Sequence, residues 1–240
     1  MLSDWFKVTD LYLARNLCLL HVGEKVQLRV ESSEPEDVLV LLKRLDVELR
    51  KSKPLLGKRL RVMLSAALAP VIPLQIPAEV QRWDERIAIL QSSAHQVFAS
   101  KASHIMTQIE ANGAPLGAAI AQETSYAITQ WSEAHGLRLQ SMQPIWSIAS
   151  TAPALKANTC KGLQINEADG SLLLVEQEGQ WSQFYQGTDM PLQARESVLR
   201  RIKIGLGLRE QEILAMKFGE EAQPPDVSLL MFWNTCWSKA

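Results

Sequence analysis

The sequence predicts a mixed α/β protein of two lobes, residues 1–157 and 158–240, each opening on an antiparallel hairpin, with the second lobe abbreviated. Three observations predict it. In the first half Val26, Leu28 and Val30 alternate with Lys25, Gln27 and Arg29, the period of a strand with one buried face. In the second half Asp169–Gly170 and Glu178–Gly179 separate three short apolar runs, as hairpin turns do. Each strand block is succeeded by apolar residues at helical spacing, such as Leu41, Leu42, Leu45 and Leu49.

Residues 9–21 and 24–32 read as the two strands of the first hairpin, turning at Gly23. Ser33, Pro35 and the acids 36 and 37 read as a helix start, because a cap, a proline in the first turn and negative charge all suit that end. Residues 59–68 alternate as a strand, and Pro70, Pro73 and Pro77 confine the next stretch of chain to an edge or loop. Residues 78–99 carry a helical stripe of Val80, Trp83, Ile87, Leu90, Ala94 and Phe98. A strand over 103–111, a turn at 112–115 and a short strand or helix entry at 116–120 precede a helix over 122–135, which Gly136 ends. A strand from Leu137 to Pro144 and a helical segment over 144–157 close the first lobe. Strands over 162–166, 171–176 and 180–186, a helix over 189–206 with Arg195, Arg200, Arg201 and Lys203 outward, a short helix or strand over 210–218 and a final strand over 227–233 make the second.

Composition excludes several classes. With 25 Lys+Arg against 26 Asp+Glu, the net charge of −1 supplies no surplus of cations to displace counterions from nucleic acid. Hydrophobic residues at 47% and charged residues at 21% are those of a folded globular chain. No apolar run approaches the ~20 residues of a spanning helix, and the first ten residues lack the features of a signal peptide, so the expectation is a cytoplasmic protein. Cys18, Cys160 and Cys236 form no CxxC pair, and the four histidines show no ligand spacing; no metal is expected. Cys18 and His21, three apart on a strand, point to opposite faces. P-loop and GxSxG motifs are absent.

Three segments carry a resemblance. They are LRVMLSAALAPVIPLQIP followed by WDERIAILQSSAHQVF; APLGAAIAQETSYAITQWSEAHGLRLQSMQPIW; and LLLVEQEGQWSQFYQG. This order is similar to the actin/RNase H-like fold, and it resembles the cytoplasmic actin-like domains of the type II secretion protein GspL and the type IV pilus protein PilM. The resemblance implies a non-catalytic scaffold that ties an assembly ATPase to inner-membrane partners at the cytoplasmic face of the membrane, either alone or as a homo-oligomer.

Nucleotide-binding members of that fold hold phosphates on turns with Asp and Gly, because backbone N–H groups must approach closely and a carboxylate must hold magnesium. The candidates here are Asp10 in the first hairpin and Glu176, Glu178 and Gly179 in the second. LYLARN after Asp10 has no glycine, and the acids at 176 and 178 repel phosphate, so no cofactor is expected. An RNase H-type metal cluster would draw on Asp10, Asp46, Glu48 and Asp84, which the spacing does not gather; Asp46 and Glu48 face different ways on one helix. Trp83, Trp131 and Trp146 fall on apolar stripes and are expected in the core. For partner binding the candidates are Arg200 and Arg201 on the late helix and Phe232, Trp233 and Trp237 at the C-terminus. Aromatic residues and arginine are enriched where proteins meet, although a strand packed in the core is the alternative for the last three.

Overall fold

The computed structural model describes residues 8–22, 25–52, 56–74, 76–77, 79–98, 102–111, 114–149, 160–177, 180–188 and 190–218. The expected boundary at 157/158, the turn at Gly23 and the expected strand over 227–233 lie outside them. A three-stranded antiparallel meander opens the chain: β1 (Val8–Leu13), β2 (Leu17–Val22) and β3 (Lys25–Glu31). The single strand expected over 9–21 is therefore two. A tight turn breaks it, closed by Ala14 N–H donating to Leu17 O at 2.8 Å. Helix α1 (Val38–Ser52) begins one turn later than expected. Its effective cap is Asp37 rather than the expected Ser33: Asp37 Oδ1 accepts from Leu39 N–H at 2.7 Å, and just before it Ser32 Oγ donates to Glu36.

β4 (Arg59–Leu64) runs parallel to β1 and stops earlier than the alternation suggests. Ser65 N–H donates to Leu13 O, and Ser65 O then accepts from Leu68 and Ala69 N–H, which turns the chain. β5 (Val71–Pro73), α2 (Trp83–Phe98), β6 (Ala102–Ala111) and β7 (Ala114–Ala121) form a small three-stranded sheet with one helix, ordered β5-β7-β6. Trp83 is 61% exposed rather than core, because α2 starts with it and packs through Leu90 and Ala94 further along. α3 (Gln122–Ala134) ends at Gly136, whose φ of 63° is the left-handed conformation glycine tolerates. β8 (Arg138–Pro144) and α4 (Ile145–Ala149) come next.

The second block repeats the pattern. β9 (Gly162–Glu167), β10 (Gly170–Gln177) and β11 (Gln180–Gly187) form an antiparallel meander. α5 (Leu192–Gly205) and a 3-10 turn at Glu210–Glu212 lead to β12 (Ile213–Lys217), parallel to β9. The sheet orders are β3-β2-β1-β4-β8 and β11-β10-β9-β12. In each, a strand is laid parallel to the first member of the meander; among the described residues the first sheet has five strands and the second four.

Alternation then sorts the side chains into layers. On the first sheet Leu11, Leu13, Cys18, Leu20, Leu60 and Val62 face α1 and α3. Tyr12, Leu17 and Met63 face the other way and share a core with Leu163, Ile165, Leu172 and Leu174 of the second sheet. Leu173 and Val175 point outward to Leu199 of α5. Two sheets thus meet face to face with helices outside. Trp146, fully buried at that seam, donates Nε1–H to Ala69 O at 3.0 Å.

Candidate functional site

The repeated topology places two turns opposite each other: Ala14–Asn16 after β1, and Ala168–Asp169 after β9. The sequence explains which groups meet there. Leu163 and Ile165 point into the seam between the sheets, and two residues on Glu167 continues that face. A carboxylate therefore ends an otherwise apolar row. Asp169 stands next, in the turn.

Both acids are buried, at 3% and 6% exposure, and both cross the seam. Glu167 Oε1 accepts from Tyr12 Oη at 3.0 Å, and its Oε2 accepts from Ala66 N–H at 2.8 Å. Asp169 Oδ2 accepts from Arg15 N–H and from Ser65 Oγ, each at 2.7 Å. Asn16 Nδ2 reaches Ala168 O at 3.5 Å, and Gln186 Nε2 donates to Ala66 O at 2.7 Å. Arg195 is buried rather than outward as expected; the helix starts at Leu192, and its first turn delivers the guanidinium to Glu167 O at 3.2 Å. Tyr12 also stacks on Phe218, centroids 6.3 Å apart.

The electrostatics result from burial. Desolvation first, then the Asp169 charge, holds Glu167 well above the usual carboxylate range, and desolvation raises Asp169 against its two donors. Desolvation also raises the Tyr12 hydroxyl. Glu167 keeps its proton to higher pH in the folded chain than in the unfolded one. Its contribution to stability is thus complete below the unfolded value and is lost as pH rises through the folded one. His21 acts in the opposite sense, since burial lowers it; its contribution is present above its unfolded value and is lost as pH falls. Urea unfolding from pH 4.5 to 8 of the wild type and Glu167→Gln separates the two. The stability difference should move in favour of the wild type on acidification, by about 1.4 kcal/mol for each pH unit over which only the folded carboxyl is protonated. A pH-independent difference would refute this.

The candidates expected from sequence are not gathered by the structure. Asp10 accepts from Arg61 Nε and Nη2 at 2.6 and 2.8 Å, a buried pair between register neighbours of β1 and β4. Glu176 stands near the far end of β10, the opposite end from Asp169. Glu178, Gly179, Phe232, Trp233 and Trp237 lie outside the described residues. Arg200 and Arg201 are exposed on α5. Asp46 accepts from Trp131 Nε1 at 2.7 Å, Glu48 pairs with Lys51 and Asp84 with Arg82. Among the described residues no group of three or more His, Cys, Asp or Glu is placed to hold a metal ion.

A nucleotide's phosphates do not fit between the facing turns. Neither tip carries glycine, since Gly170 already belongs to β10. Arg15 N–H, the kind of group that would cradle phosphate, is bonded to Asp169, and two acids occupy the seam.

A meander, a strand parallel to its first member and helices outside, given twice, define the actin/RNase H-like fold. Solved structures bear this out. The chain is similar to a Bacteroides thetaiotaomicron protein with an actin-like ATPase fold and unknown function, at 12% identity and TM-score 0.61 over 98% of this chain and 90% of that one. It is similar to the cytoplasmic domain of EpsL, an inner-membrane component of the type II secretion system of Vibrio cholerae, at 11% identity and TM-score 0.55 over 97% and 95%. It is also similar to a chain of the PilM–PilN type IV pilus biogenesis complex, at 11% identity and TM-score 0.57 over 95% and 85%. No protein-family model matches the chain, and no curated protein does.

Proposed function

We propose that this chain is a non-catalytic scaffold of a type IV pilus or type II secretion-like assembly machine, binding partner proteins at the cytoplasmic face of the inner membrane. The observation that carries the reading is the bonding of the two facing turns to each other through Glu167 and Asp169. A site that hydrolyses or exchanges nucleotide needs those turns apart. Here burial and hydrogen bonds hold them together, so the fold is used as a rigid body. Likeness to the EpsL domain and to the PilM–PilN complex supports the choice of machine. No helix among the described residues is long and apolar enough to cross a membrane. Arg200 and Arg201 on the exposed face of α5 are the proposed contacts for an acidic partner segment, and strand addition at a sheet edge is a second mode open to the fold.

Crosslinking in the producing cells followed by affinity capture tests this. The expected product is an inner-membrane assembly protein, lost or weakened in an Arg200→Glu/Arg201→Glu variant. Recovery of metabolic enzymes alone would overturn the reading. Titration with millimolar Mg-ATP should give no heat and no thermal shift; saturable binding would return the chain to the nucleotide switches.

A further inference from the structure

Helix α1 buries Val38, Leu41, Leu42, Leu45 and Leu49 in the core that it shares with the first sheet and α3. At about 3.6 residues per turn, Val40, Lys43, Val47, Arg50 and Lys51 stand on the opposite side. All five are exposed, Val40 at 43% and Val47 at 50%. The two acids of the helix lie on its flanks and are engaged there. Asp46 accepts from Trp131 Nε1 of α3, and Glu48 pairs with Lys51. The outward ridge of α1 is therefore aliphatic and cationic.

The stability of the fold does not explain this ridge. Valine is a poorer helix former than the long polar residues a solvated face ordinarily carries, and about half of each side chain is left in water. The cations also continue past the helix. α1 ends at Ser52 and β4 starts soon after at Arg59, which is exposed; its register partner on β8 is Arg138, also exposed. Like charges on register neighbours repel, so this end of the sheet gains from an anionic surface laid against it.

Shape and chemistry together select the occupant. The ridge is convex, since α1 lies outside the sheet and the Asp46–Trp131 bond ties its flank to α3. An acidic peptide needs a groove or a sheet edge, and on a ridge it would leave the valines in water. Nucleic acid would meet the cations and not the valines. A bilayer with anionic headgroups meets both: aliphatic side chains enter the headgroup boundary while Lys and Arg reach the phosphates on their long stems.

We propose that the outward ridge of α1 docks on the surface of a bilayer carrying anionic lipid, with Val40 and Val47 entering the interface and Lys43, Arg50 and Lys51 holding headgroups. Arg200 and Arg201 lie on α5, outside the second sheet rather than the first, so this surface is separate from the proposed partner contact and stands or falls separately. Sedimentation of the whole chain with vesicles of phosphatidylcholine alone, or of equal parts phosphatidylcholine and phosphatidylglycerol, tests it with no protein partner present. The expected result is binding to the anionic vesicles and none to the neutral ones, weakening as salt is added. Lys43→Glu/Arg50→Glu should weaken binding about tenfold or more, Lys43→Gln/Arg50→Gln less, and Val40→Ser/Val47→Ser about tenfold at unchanged charge. Arg200→Glu/Arg201→Glu should bind as the wild type does. Each variant replaces exposed residues, and an unchanged melting temperature excludes misfolding. No binding of the wild type to anionic vesicles overturns the proposal, as does binding that either the charge-reversal or the serine variant leaves intact. If the wild type ignores vesicles while Lys43→Glu/Arg50→Glu loses a protein crosslink in cells, the ridge belongs to an acidic partner instead.

Discussion

Glu167→Ala is expected to destabilise the chain by about 3 kcal/mol in urea unfolding, with little change in the denaturant slope. The substitution leaves Tyr12 Oη and Ala66 N–H buried without acceptors, and each such orphan costs about 1–3 kcal/mol. It also opens a void at a seam where Leu163, Ile165 and Trp146 are already fully buried. Glu167→Gln should cost much less. A carboxyl held above its usual range already resembles a neutral amide, and Gln keeps the acceptor for Tyr12, although its NH₂ then faces Ala66 N–H. Tyr12→Phe should cost about 1–2 kcal/mol, and combining it with Glu167→Ala should cost less than the sum, because both remove one bond. A Glu167→Ala variant within about 0.5 kcal/mol of wild type, the scatter of ordinary surface substitutions, would mean that the seam does not depend on this carboxylate.

The same variant separates scaffold from switch. If Glu167 and Asp169 hold the two sheets together, loosening them should raise hydrogen exchange on both sides of the seam, in β1 and in β9, as one cooperative opening. In a nucleotide-driven protein the loosened form would instead be the competent one, and ATP would restore protection.

How much of this is legible in the sequence depends on the kind of signal. Strands with clean alternation, such as Val26–Val30, and turns with Asp–Gly are legible because the physics is local. The turn at Ala14–Asn16 is not: Ala, Arg and Asn lack the glycine or proline that marks a break, and the chain is bent there by backbone bonds from Ser32 and Glu36 to Asn16 and Arg15. Glu167 does leave a readable signal, an acid in step with Leu163 and Ile165. Asp169 looks like an ordinary turn residue because its partners, Arg15 and Ser65, are more than a hundred positions away. Arg195 reads as a solvated helix residue because its orientation depends on where the helix starts, which Pro191 sets. Function lies in such long-range pairings, which local pattern does not carry.

Asp10 shows the same point and yields the second large effect. Arg61→Ala is expected to cost about 3–5 kcal/mol, because it leaves the Asp10 carboxylate buried without its partner. Asp10→Ala, which takes from the guanidinium the carboxylate it is bonded to, should also destabilise, while Asp10→Leu with Arg61→Met should fall closer to wild type than Arg61→Ala, since two apolar side chains remove both desolvation penalties at once. That non-additivity is the diagnostic. If Asp10 instead served a magnesium-bound phosphate, the double variant would keep its stability yet lose a nucleotide response that the wild type shows. His21 supplies an internal probe, since it is the register partner of Asp10 on β2 and feels its charge. With Arg61 gone, the uncompensated carboxylate should raise the His21 titration, followed by the ring-proton NMR shift. An unmoved His21 together with a stability loss below about 1 kcal/mol, the scale of an exposed ion pair, would show that water screens this pair and that burial does not make it count.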